Sequence, residues 1–164
     1  HRVDRRQRQM CIRDSLEGSF LASLPFLMGA IGATLGGYLC DKLQIRYGVK
    51  WGHRIPIIIG LVPSAGFLIF GSMTENPYLA VLSLSLCYGF IELTEGPFWS
   101  AIGFISKKPQ AAGGILNTGG NLGGVLATPL IPIMADQFGW MIALNSGVFF
   151  ALLGVFAFMQ IKFK

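Results

Sequence analysis

Four polar side chains stand in otherwise apolar stretches, and their spacing is what could do chemistry. Glu92 and Glu95 are i, i+3 in IELTEGPFWS, a run that reaches Ile105 without a basic residue. Asn117 and Asn121 are i, i+4 in GILNTGGNLGG. On a helix either spacing puts the pair on one side. A carboxylate inside an apolar helix is expensive and normally faces a cavity, a partner or a proton path. The Glu pair is therefore a candidate for proton coupling or for contact with substrate hydroxyls, against the plainer role of locking two helices. The two amides both donate and accept, which suits carboxylate and hydroxyl groups. Their plainer role is hydrogen bonding between helices.

Gly119, Gly120, Gly123 and Gly124 make two overlapping GxxxG pairs around these amides, expected to be close-packing surfaces. A phosphate-cradling loop is excluded, since no GK[ST] follows and no strand precedes. Pro25, Gly29, Gly32 and Gly36 recur at helical spacing upstream and read as a second packing stripe.

Elements that can carry such residues are membrane helices. The chain is 52% hydrophobic and 13% charged, against about 25% charged in soluble domains, with a mean hydropathy of +0.58. Five spans are predicted: about Ser19 to Cys40, Ile55 to Met73, Tyr78 to Ile105, Gly113 to Ala135, and Trp140 to Gln160. Each is near or above the roughly 20 residues a crossing helix needs. Gly96-Pro97 is expected to kink the third, and Pro25 and Pro63 to bend the first two. The net charge of +5 does not imply nucleic acid, because no basic stripe is interleaved with aromatics. Cys11, Cys40 and Cys87 are far apart and in no ligand spacing, so neither a metal nor a cofactor is expected.

The gaps predict sidedness. Lys42, Arg46, Lys50 and Arg54 fall in the first gap, Lys107 and Lys108 in the third, and Lys162 and Lys164 after the fifth span. The gaps with Glu75 and Asp136 have no basic residue. By the positive-inside rule the basic gaps and the end of the chain are cytoplasmic. Residues 1–15, HRVDRRQRQMCIRDS, would then lie on the wrong face. They resemble adapter read-through and are expected to be non-native or a disordered basic arm, with residues 16–164 forming the helical bundle. An odd span count without a starting Met reads as a fragment.

GGYLCDKLQIRYGVKWGHR, residues 36–54, resembles the cytoplasmic signature loop of the major facilitator superfamily. Gly37, Asp41 and Lys42 fit its pattern, while Gln44 and Ile45 stand where Gly and a basic residue are usual. The resemblance implies an all-α polytopic fold whose spans correspond to helices 8–12. A narrower resemblance is to the anion:cation symporters, carriers of hexuronates and other sugar acids. It rests on the loop ending at Arg54, on GPFW at 96–99 and on NTGGNLGG at 117–124.

The resemblance implies a secondary carrier of an organic anion, coupled to protons or another cation, with partners in the bilayer, the substrate, the coupling ion and an N-terminal half of the same transporter. Glu92, Glu95, Asn117 and Asn121 are the candidate substrate or coupling residues. Gly37, Asp41, Lys42, Arg46 and Arg54 form a candidate cytoplasmic gate, made of charge-assisted bonds formed in one state and released in the other. Trp99 is expected to be an interfacial anchor; no role follows for Asn145, a strongly polar side chain inside the fifth span, and His53 is placed in a loop. Other readings are a sugar, drug or peptide carrier and a small non-transporting five-span subunit. An intramembrane enzyme lacks a nucleophile–base or metal constellation.

Overall fold

The apolar stretch Gly18–Met73 has 56 residues, which as a straight helix would run about 84 Å at 1.5 Å per residue, against a hydrocarbon core of about 30 Å. It must fold back. A computed structural model describes the backbone of residues 2–163 and the side chains from Gly18 onward. In it α1 (Arg2–Met73) is broken at Gly48, whose φ of 78° and ψ of 170° are non-helical. Only glycine enters that region without strain. The Arg-rich segment 1–15 lies outside the described side chains.

Four further helices follow: α2 (Pro77–Glu92), α3 (Glu95–Ile105), α4 (Pro109–Phe138) and α5 (Trp140–Met159). Their starts follow from local chemistry. Asn76 caps α2, its Oδ1 accepting from the Tyr78 and Leu79 amides at 3.0 and 3.4 Å. Pro77 and Pro109 open α2 and α4 in the first turn, where a missing N–H costs nothing. Gly139, with φ of 87°, turns the chain between α4 and α5.

Close approaches give the topology. Along the first arm of α1, Gly29, Gly32 and Gly36 face Tyr88, Gly89 and Leu93 in the same order, so this arm and α2 run parallel. Along the second arm, Gly60 faces Thr94 and Gly71 faces Ser83, an antiparallel pairing. Gly154 meets Leu61 and Gly147 meets Leu68, so α5 is antiparallel to the second arm too. Gly113 of α4 meets Trp99 of α3. Gly37 of the first arm backs onto Gly96, so α3 continues in the direction of α2.

Among the described residues, three stretches are long and apolar enough to cross a membrane: Gly18–Met73, Pro77–Ile105 and Trp140–Met159. The first holds two of the expected spans, hinged at Gly48. The fourth expected span lies in α4, which has 30 residues but whose glycines, amides and prolines keep it outside those three. The expected gap at 41–54 is largely helical, because Lys42, Gln44, Arg46 and Lys50 are good helix formers. Pro25 and Pro63 keep helical backbone.

The packed core is Ile57, Leu61, Ala101 and Phe158, with Phe98, Val155, Ile161 and Phe163 against it. It joins the second arm, α3 and α5. On the outer side of α5, Phe149, Phe150 and Phe156 are exposed, as the apolar run there predicts for a lipid-facing surface. Gly48→Ala should destabilise the chain by about 1–3 kcal/mol, the range for a side chain forced into a glycine-only conformation. A melting temperature equal to wild type would show that the hinge is not at Gly48.

Candidate functional site

The kink in the third expected span lies one turn before its proline. A proline ring clashes with the carbonyl four residues back, which for Pro97 is Leu93. The helix breaks there: α2 ends at Glu92, Leu93 and Thr94 form a turn, and α3 begins at Glu95. Pro97 thus sits in the first turn of α3, where its absent donor is harmless.

Leu93 and Thr94 keep right-handed helical dihedrals through this turn, and the two carboxylates on either side of it have different immediate partners. Glu92 is half-buried at the end of α2, beside Tyr88, where both face Gly29 of the first arm. Glu95 instead opens α3 and accepts a hydrogen bond from the Trp99 indole Nε1 at 2.9 Å. Trp99 is therefore tied to a carboxylate, a contact that the anchor reading did not foresee.

Glu95 and Trp99 form one wall of a cleft of about 430 Å³, and α4 forms the other with Leu116, Asn117, Gly120 and Asn121. Asn121 Nδ2 donates to the Asn117 carbonyl at 2.8 Å and lies 3.3 Å from Asn117 Oδ1. The i, i+4 spacing thus has a direct result: Asn121 braces Asn117. A second cleft of about 500 Å³ adjoins the first and shares Trp99 and Asn117, adding Ser100 and Gln110. Both volumes fall in the range of small-molecule sites, ~300–1,000 Å³. Their polar lining offers carboxylate and hydroxyl acceptors with amide donors, and among the described residues neither cleft is lined by Lys or Arg.

The two glycine stripes have different surroundings. A Cβ on Gly32 would lie 1.9 Å from the Gly89 carbonyl oxygen, and one on Gly36 equally close to that of Leu93. Gly119, Gly120, Gly123 and Gly124 have nothing within 4 Å of the corresponding position. The close packing expected of them does not form among the described residues, because α4 touches only α3 and α5 and most of its surface is exposed.

The candidate gate residues are dispersed. Gly37 backs onto Gly96. Asp41 is exposed on a groove with Gln44 and Val49. Lys42 lies over the Tyr38 ring at 4.6 Å and Arg46 near Tyr47 at 5.4 Å. Arg54 is buried and donates to the Met159 and Ile161 carbonyls. These are aromatic and backbone partners, not the Asp41 contacts expected of a closed gate.

Sequence reasoning missed two residues. His53 is helical and wholly buried, not in a loop. Asn145 accepts from Ser72 Oγ at 3.2 Å and links α5 to the second arm. A lone amide in an apolar span was the available signal for the latter.

No family model matches the chain. It is 30% identical over 123 residues to a protein of Cupriavidus necator named probable sulfoacetate transporter, covering 74% of this chain and 29% of that one. It is 34% identical over 122 residues to a probable galactarate/D-glucarate transporter of Bacillus subtilis, covering 71% and 26%. With a D-galactonate transporter of Escherichia coli it shares 27% identity over 152 residues, covering 88% and 34%. The chain thus spans about a quarter to a third of the length of the curated relatives it matches. The resemblance to the anion:cation symporters of the major facilitator superfamily stands: this chain is a homologue of transporters named for sulfoacetate, galactarate, D-glucarate and D-galactonate.

Proposed function

We propose that the chain is part of a secondary active carrier of an organic anion such as a sugar acid, driven by symport with protons or another cation. The observation that carries this reading is the gathering of Glu95, Trp99, Asn117 and Asn121 on one cleft between α3 and α4. A hydroxylated acid needs acceptors for its hydroxyls and donors for its carboxylate. Glu95 supplies the first and Asn117 the second. The names of the relatives favour the same substrate class. The positive countercharge for the substrate would come from an N-terminal half that closes the cleft, the two halves rocking about a site near the midplane.

In this reading five spans cross the plasma membrane. The hinge at Gly48, the α3–α4 connection and the residues after α5 all face the cytoplasm. Support comes from the convergence of His53, Phe104 and Phe163 at one end of the bundle. Glu92, apart from the cleft and beside Tyr88, is assigned to coupling.

The test is uptake of radiolabelled galactarate or galactonate in proteoliposomes by the transporter that joins this chain to its N-terminal half, with the unlabelled acids as competitors. Saturable uptake of either acid is expected, and its failure with both would overturn the substrate class. Glu92→Gln should abolish the stimulation of uptake by an inward proton gradient while exchange of internal for external substrate continues. An unchanged pH dependence would remove Glu92 from the coupling path.

A further inference from the structure

Two charged or titratable side chains that the cleft does not use are buried where the basic segments meet. His53 is 0% exposed and Arg54 8%. His53 Nδ1 lies 2.6 Å from the Val49 carbonyl, which can only accept, so this nitrogen carries the hydrogen. Nε2 lies 3.1 Å from Ser100 Oγ, within hydrogen-bond distance. The imidazole stacks on Phe163 with centroids 5.1 Å apart and meets Phe104 edge-on at 5.3 Å. Arg54 Nη2 donates to the Met159 carbonyl and, at 3.1 Å, to that of Ile161. These carbonyls stand at the end of α5, where acceptors lack helical partners and the dipole favours a cation.

The hold is strong in geometry but modest in energy. Arg54 Nε is buried with no hydrogen-bond partner among the described residues. Its charge faces backbone dipoles, which offset desolvation less well than a carboxylate would. Beyond α5 the chain keeps two short backbone bonds, Gln160 to Ala157 at 3.2 Å and Ile161 to Phe158 at 3.1 Å. Ile161 and Phe163 then lie against the core. Ser100, the far end of the His53 contact, adjoins Trp99 and itself lines the larger cleft.

We propose that His53 and Arg54 hold residues 159–163 as a latch against α3, and that the latched segment fixes Ser100 and with it the Trp99 wall of the cleft. His53 is then a positioning residue that links the segment after α5 to the site. The latch stands on these contacts alone. Its consequence for transport rests on the reading of the cleft given above.

Hydrogen–deuterium exchange on the full chain in nanodiscs tests it without reference to transport. Phe163→Leu keeps apolar volume but loses the ring stack, Arg54→Lys keeps charge but loses the planar fork, and Phe163→Tyr keeps the ring. In the first two, exchange over residues 155–163 and 98–105 should quicken by about tenfold, as expected when a small unit with few contacts is released. Residues 28–36 should be unaffected, and Phe163→Tyr should match wild type. Faster exchange confined to 155–163 overturns the positioning role. Unchanged exchange in both segments overturns the latch, and so does equal acceleration of residues 28–36, which marks general destabilisation. In proteoliposomes Phe163→Leu and Ser100→Ala should raise the KM for galactarate alike while keeping the maximal rate. An unchanged KM beside the expected exchange pattern supports the latch and overturns the cleft as the substrate site.

Discussion

Gly32→Ala is expected to destabilise the folded chain strongly for the addition of a single methyl group. The new Cβ would lie 1.9 Å from the Gly89 oxygen and 2.8 Å from its carbonyl carbon. Both are backbone atoms of a helix, so neither can swing aside as a side chain would. The first arm and α2 must separate, and the separation also loosens the Gly29–Tyr88 and Gly36–Leu93 approaches. Overpacking typically costs ~1–3 kcal/mol, and the rigidity of the obstacle places this case at the upper end. Gly36→Ala should behave alike, since its Cβ meets the Leu93 oxygen at 1.9 Å. Gly66 lies on the same helix with nothing within 4 Å, so Gly66→Ala supplies the control and should be neutral or slightly stabilising. Melting temperatures of the three variants in one detergent measure the difference. Equal values for Gly32→Ala and Gly66→Ala would mean that the two helices do not touch through this stripe.

Asn117→Ala is expected to lower kcat/KM for uptake about 10- to 100-fold, the effect of losing a hydrogen bond to a charged substrate group at ~1.5–3 kcal/mol. Asn117 is singled out because it lines both clefts, opposite Trp99 in each. Asn121 lines one cleft and spends an amide hydrogen on Asn117. Its replacement by alanine removes a brace rather than the contact itself, and a loss of about threefold fits one neutral hydrogen bond near the low end of its range. The order of the two effects discriminates more sharply than their size. If Asn121→Ala proved the more damaging, the substrate would be bound further along α4 than the cleft geometry places it. If neither changed uptake, the amides would be packing groups.

Trp99 adds a consequence to this picture. Its indole N–H is committed to Glu95, so the carboxylate has an orienting partner before any substrate arrives. A preorganised acceptor needs no rearrangement on binding, and that is what a recognition site requires.

The residues that could do chemistry were legible from type and position alone. Carboxylates and amides inside apolar runs stand out because a bilayer penalises them, and Glu95, Asn117 and Asn121 do meet on one cleft. The helical class was equally plain, since long apolar runs separated by short charged gaps leave few other arrangements. The stripe of Gly29, Gly32 and Gly36 announced a helix contact by its period, and these glycines lie against α2. The signature loop and the glycine–asparagine run also carried a family resemblance that the relatives support.

What periodicity could not settle was how far each helix continues and what it meets. A proline announces a break, and the clash with Leu93 places it between Glu92 and Glu95, where the backbone still keeps helical dihedrals; that Glu92 meets Gly29 beside Tyr88 and Glu95 meets the Trp99 indole is decided by the packing. The basic segment 41–54 reads as a loop because its charges suit an interface, yet lysine, arginine and glutamine hold a helix well and only Gly48 interrupts it. His53 and Arg54 read as loop residues for the same reason. They are buried because the residues after α5, more than a hundred positions later, fold onto them. Local pattern determines which segments are helices and which side chains are out of place in them. Contacts between segments distant in sequence decide the partners, because a side chain's environment is set by whatever helix packs beside it.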